Sequence, residues 1–244
     1  MFRAFSDPIQ LISFLLMIPA ALIAISVHES AHGWVSYRLG DPTAHNLGRI
    51  TLNPIKHFDP IGFLMLVLFH FGWAKPVPVN ARYYKKPRRD MALVAAAGPA
   101  SNLLLGFFGI LVLYLVFLAG SSTAETFSML TKGQLYVGTS LVETLPQKLL
   151  YLIFVFLYQF AALNVGLAIF NLIPLPPFDG SRMAYIFLPA KWYFGIMRYE
   201  RYIMIGFLIL IWLGAFSGVI STIAGGVISG MGWLIERLPF FRFA

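Results

Sequence analysis

His28 and His32 stand four residues apart with Glu29 beside the first, in the stretch "SVHESAHGW" that closes the apolar run "LISFLLMIPAALIAISV". On a helix of 3.6 residues per turn, positions four apart lie one above the other on the same face. Two imidazoles so placed can take adjacent corners of a zinc tetrahedron, and the neighbouring glutamate can act as base on a water that the metal activates. A lone histidine on an apolar helix is read as a packing residue. A glutamate between two histidines resists that reading, because ionisable groups are costly inside a bilayer. The pattern is therefore read as metal-binding, with zinc as the ion.

A catalytic zinc needs a third protein ligand and one open position. Asp179 in "NLIPLPPFDG" is the candidate: carboxylate oxygen suits zinc, and Gly180 permits a tight turn. The alternative role for Asp179 is to cap a helix starting near Ser181. Other histidines are rivals. His45 and His57 lie in polar loops and are expected to be solvated; His70 lies in an apolar run and is expected to be packed. Asn171 ends the span before Asp179. Its amide either orients substrate and stabilises an oxyanion, or makes interhelical hydrogen bonds. For Asn164, and for Asn102 in "GPASN", the interhelical role is favoured.

These residues must be positioned by membrane helices. Of 244 residues 59% are hydrophobic and 11% charged, against about a quarter charged in soluble domains. The chain reads as an α-helical polytopic membrane protein forming one integral membrane domain over residues 1–244. No cysteine is present, which excludes disulfides, a thiol nucleophile and cysteine-built metal sites. The formal charge of +8 gathers in loops beside apolar runs, as membrane orientation requires, so no nucleic-acid partner is expected. The first apolar stretch runs on into HESAH without a cleavage site and is read as retained.

About 20 apolar residues cross a bilayer as helix. Spans are expected from about Ile9 to Leu39, with Pro19 as a kink, from about Met91 to Ala119, and over 149–171. The catalytic core is thus about 9–190. Residues 61–73 are too few to cross and read as re-entrant or packed on the bundle. "KPVPVNARYY" alternates small apolar residues with prolines and reads as extended, the edge of a small β segment with which "ITL" at 50–52 could pair. Residues 202–235 are too long for one helix and short for two; their glycines are expected either to break them or to allow close packing, as the C-terminal membrane part of about 200–236.

Orientation follows from the basic residues. The segment 73–90 holds Lys75, Arg82, Lys85, Lys86, Arg88 and Arg89 against Asp90, whereas 120–148 holds Lys132 and Lys148 against Glu125 and Glu143. Residues 73–90 and 174–200 are therefore expected on the cytoplasmic face of the cell membrane and 120–147 outside. Arg38 marks the water boundary, which sets His32 and His28 roughly 9 to 15 Å below it at 1.5 Å per residue.

HESAH, "GPASN" and "NLIPLPPFDG", in this order on three successive spans, resemble the site-2 protease family of intramembrane zinc metalloproteases. The resemblance covers roughly residues 20–190. It implies a three-helix catalytic core, one Zn2+ held by His28, His32 and Asp179, Glu29 as catalytic base and Asn171 assisting substrate. It also implies a membrane-protein substrate cut in or near its transmembrane segment, and a short form without a PDZ domain. The extended "KPVPVNARYY" could pair with an unwound substrate strand. Two other readings remain: a metal transporter or channel, and a catalytically silent scaffold.

Overall fold

The computed structural model describes residues 8–69, 72–120 and 145–238. The N-terminal helix α1 spans Pro8–Arg38, followed by two single turns, α2 (Thr43–Asn46) and α3 (Pro54–His57), and by α4 (Pro60–Phe69). A 3-10 turn at Ala81–Tyr83 leads into α5 (Pro87–Gly120). Then come α6 (Leu145–Asn171), α7 (Asp179–Ala184), α8 (Ala190–Arg198), α9 (Glu200–Trp212) and α10 (Ser217–Glu236). Four of these carry stretches long and apolar enough to cross a membrane: Leu11–Arg38, Pro87–Val116, Leu149–Asn171 and Gly218–Glu236.

Helices α1, α5 and α6 each pack against the other two. Close approach of α5 to α6 depends on Gly106 and Gly109. A Cβ at 106 would lie 2.8 Å from Val165 Cγ2, and one at 109 would lie 3.1 Å from Phe160. Small residues let membrane helices gain dispersion contacts that larger ones prevent. In the C-terminal region the glycines divide between the two parts expected of them. Gly218, Gly225, Gly226 and Gly230 have open space around them, and Gly232 meets the Tyr114 hydroxyl. The break falls at Gly214, whose φ of +75° lies in the left-handed region. It separates α9, too short to cross, from α10. The far end of α10 is fixed to α5 and α6 by Ile235, fully buried with Ile110 and Ala161, and by the Tyr114 hydroxyl donating to Glu236 Oε1 at 2.8 Å.

Ten residues give α4 a length of about 15 Å, half a hydrocarbon core. Asp59 caps it, its Oδ1 accepting from the N–H groups of Ile61 and Gly62. Residues 73–75 lie back beside the start of α4: the Trp73 carbonyl lies against Gly62, and Lys75 N–H donates to His57 O at 3.0 Å. His70 lies outside the described residues.

No strand forms among the described residues. Residues 50–52 and 72–80 are irregular because their polar groups bond elsewhere. Thr51 O accepts from the Ser30 hydroxyl and from His57 Nε2, and the N–H groups of Lys75, Val77 and Asn80 all turn toward other partners. His57 is consequently buried, not solvated; His45 is exposed and stacks on Tyr37.

Candidate metal centre

The HESAH turns of α1 face α5 and the loop after α6. His28 Nδ1 donates to Asn102 Oδ1 at 2.5 Å, and His32 Nδ1 donates to the Val94 carbonyl at 2.7 Å. Each imidazole is thereby set with Nε2 turned the other way. The two Nε2 atoms lie 3.0 Å apart, and Asp179 Oδ2 lies 3.1 Å from that of His28 and 3.2 Å from that of His32. Ligands about 2.0 to 2.1 Å from a tetrahedral zinc are separated by about 3.3 Å, so the spacing suits that ion.

Local sequence explains each placement. The apolar residues before HESAH carry it as helix to Arg38. Pro99 lacks the N–H that would bond Ala95, interrupting the α5 ladder beside the Val94 carbonyl that receives His32. Asp179 is the first residue of α7, after the N-cap Phe178, and none of the described hydrogen bonds joins its carboxylate to a backbone N–H. Its carboxylate turns to the histidines instead. Gly180 serves a close approach: a Cβ there would come within 2.3 Å of the Leu172 carbonyl. That contact seats the start of α7 on the end of α6.

Whether this set fits a cation is decided by its donors. With each Nδ1 proton given to a carbonyl-type oxygen, neutral imidazoles present lone pairs at Nε2. Two such lone pairs and a carboxylate oxygen then face one another. Leaving a buried acceptor unsatisfied costs about 1–3 kcal/mol, and a cation satisfies all three together. The space for it adjoins Gly98, where a Cβ would lie 2.5 Å from His32 Nε2 and 2.6 Å from His28 Nε2. Among the described residues, His28, His32 and Asp179 form the group able to hold a metal.

Asn102 goes beyond its expected role. Its Nδ2 donates to Ala24 O and to Asn164 Oδ1, and Asn164 passes its own Nδ2 to Phe160 O. Both asparagines are fully buried. The interhelical bond is present, but Oδ1 of Asn102 also orients a metal-facing histidine. Gly98 and Asn102 are four apart on one face of an apolar helix, a signal that sequence reading passed over. Asn171 donates its Nδ2 to Leu167 O in its own helix, and none of the described hydrogen bonds joins it to His28, His32 or Asp179. Glu29, half-buried, accepts at Oε2 from Val77 N–H at 2.7 Å.

A multi-pass helical membrane protein with a His-Glu-x-x-His helix and a distant aspartate closing on it defines a class, the membrane zinc metalloproteases. The chain belongs to Peptidase family M50, the site-2 protease family, whose family model matches residues 15–213. It is 38% identical over 203 residues to "Putative zinc metalloprotease YwhC" of Bacillus subtilis (strain 168), covering 83% of this chain and 82% of that protein. It is 32% identical over 96 residues to "Putative zinc metalloprotease Rip2" of Mycolicibacterium smegmatis, covering 38% of this chain and 37% of that relative. No solved structure matches the chain. The protein is a zinc metalloprotease of the membrane.

Proposed function

We propose that the protein is an intramembrane endopeptidase that cuts membrane-protein substrates in or near their transmembrane segments. The observation that carries this reading is the meeting of His28, His32 and Asp179 within 3.2 Å beside Glu29. His28, His32 and Asp179 hold the zinc. Bound there, zinc supplies a Lewis acid that acidifies water and polarises a carbonyl. Glu29 takes the proton from the attacking water and returns it to the leaving amine. Asn102 and the Val94 carbonyl hold the rings in the tautomer that binds metal. Asn171 assists substrate, with its Oδ1 and second Nδ2 proton left over from the bond to the Leu167 carbonyl.

A transmembrane helix hides its carbonyls in hydrogen bonds, so the substrate reaches Glu29 only after local unwinding. The placement of the site 6 to 10 residues before Arg38, together with the basic 73–90 segment, supports a cytoplasmic opening. Residues 1–244 act as one domain with its catalytic part at about 9–190.

Purified wild type and Glu29→Gln, each assayed for zinc and for cleavage of a model transmembrane peptide, test this function. The expected result is equal zinc in both and a loss of turnover on the order of 100-fold or more in the variant. Undiminished cleavage by Glu29→Gln overturns the reading. A transporter would retain no cleavage in either protein.

A further inference from the structure

The metal centre leaves the stretch "KPVPVN", residues 75–80, without a role. It forms no regular element, yet three of its main-chain N–H groups are pinned. Lys75 donates to His57 O at 3.0 Å, Val77 to Glu29 Oε2 at 2.7 Å and Asn80 to Asp41 Oδ2 at 2.7 Å. Pro76 and Pro78 have no N–H to give. The Val77 side chain fills the notch left by Gly33, one turn beyond Glu29, where an added Cβ would meet Val77 Cγ1 at 3.1 Å.

The anchors are themselves anchored to α1. His57 is buried and bonds Thr51 O through Nε2, and the same carbonyl takes the Ser30 hydroxyl from within HESAH. Asp41 is fully buried. It accepts from the Ser36 hydroxyl and from the N–H and hydroxyl of Thr43, besides Asn80 N–H, and the Tyr84 hydroxyl bonds Ser36. The polar insert thus grips the last turns of α1 on both sides of Val77.

A glutamate's terminal torsion is broad and has little preference of its own. A carboxylate that must take a proton at one oxygen is aimed by fixing the other, and a hydrogen bond to an ionised acceptor is among the stronger ones available. We propose that the main-chain N–H of Val77 is a positioning donor for Glu29, fixing Oε2 so that Oε1 is left to exchange the proton, with Asp41 as the buried anchor that keeps the amide in place. The inference rests on the reading of Glu29 as the base. It assigns the stretch to the enzyme's own base instead of to a substrate strand. With the Val77 N–H engaged and prolines on both sides, such a strand would meet carbonyls alone over 76–78.

Val77→Pro, Val79→Pro and wild type, compared for zinc content and for kcat and KM on a model transmembrane peptide, test this. Val77→Pro is expected to keep its zinc and its KM while kcat falls roughly 10- to 100-fold. Val79→Pro is expected to keep wild-type kcat. Wild-type kcat in Val77→Pro overturns the proposal, as does a loss confined to KM, an equal loss in Val79→Pro, or a loss of zinc in step with activity. Should Val77→Pro fail to fold, the backbone ester at position 77, which removes the N–H and keeps the valine side chain, carries the same expectations. Glu29→Gln separates the two readings: if that variant cleaves, Glu29 is not the base, whatever position 77 does.

Discussion

At the scale of single residues, the site depends on two residues that are not ligands. Asn102 fixes the proton of His28 on Nδ1, and outer partners of this kind are worth about 10- to 100-fold in metal affinity. Asn102→Ala is expected to weaken zinc binding by that order, read by competition with a chelator; unchanged affinity would remove Asn102 from the metal centre. Gly98 contributes an absence. A methyl group there would stand 2.5 Å from His32 Nε2, and overpacking of this kind costs about 1–3 kcal/mol. Gly98→Ala should therefore lower zinc occupancy while the helices stay folded, seen as metal loss without loss of far-UV helicity. Retention of full zinc would show that the ion sits elsewhere. The juxtaposition of His28 and His32, with Glu29 beside them, was legible in the sequence because the helix itself sets that spacing. Asn102 and Gly98 were less so, because their meaning depends on which face of α5 meets α1, and one chain's pattern does not reveal that.

At the scale of elements, the insert between α1 and α5 was the least legible part. Alternating prolines pointed to an extended sheet edge, but no strand forms there among the described residues. Where their N–H groups go was hidden, since those partners lie up to 48 residues away in sequence. Asp41 shows the same limit: "GDP" read as a helix stop, and the structure adds a buried carboxylate that collects donors from three places. Burial pushes the Asp41 carboxyl up, yet hydrogen bonds from Thr43, Asn80 and Ser36 outweigh it and hold it below its ordinary value. A depressed folded pKa means stability that is present above the unfolded value of about 3.9 and is lost as pH falls through the folded one. Wild type should accordingly lose Tm on acidification below about pH 4. Asp41→Asn should start from a lower Tm at neutral pH and fall less steeply over that window. Equal slopes for the two proteins would contradict the role given to Asp41.

At the scale of the whole molecule, helix lengths and contacts define which end of the bundle each element reaches. Gly98 marks the metal end of α5, and Tyr114 lies 16 residues further on, about 24 Å along the helix. Glu236 bonds Tyr114, so the C-terminal end of α10 lies at the opposite end from the site. The start of α10 lies near Asp179: Phe216 stacks on Phe207, which contacts Phe178 and Phe170 at the end of α6. Helix α9 thus stays at the metal end, while α10 runs to the opposite end and is long and apolar enough to cross a membrane. The sequence left 202–235 open because its apolar length fits neither one span nor two; Gly214 resolves it into a short helix and a spanning one. The chain has no native cysteine, so single cysteines report sidedness cleanly. Lys85→Cys and Lys191→Cys should react with an impermeant maleimide only from the cytoplasmic face, and Arg237→Cys only from outside. Labelling of all three from one side would contradict this topology.

The central claim is that zinc is gripped from two distant parts of the chain, by His28 and His32 on α1 and by Asp179 at the start of α7. Zinc content of purified wild type, Glu29→Gln and Asp179→Ala tests it most directly. The account predicts equal zinc in the first two and its loss in the third. Stoichiometric zinc, held with wild-type affinity in Asp179→Ala, would contradict it.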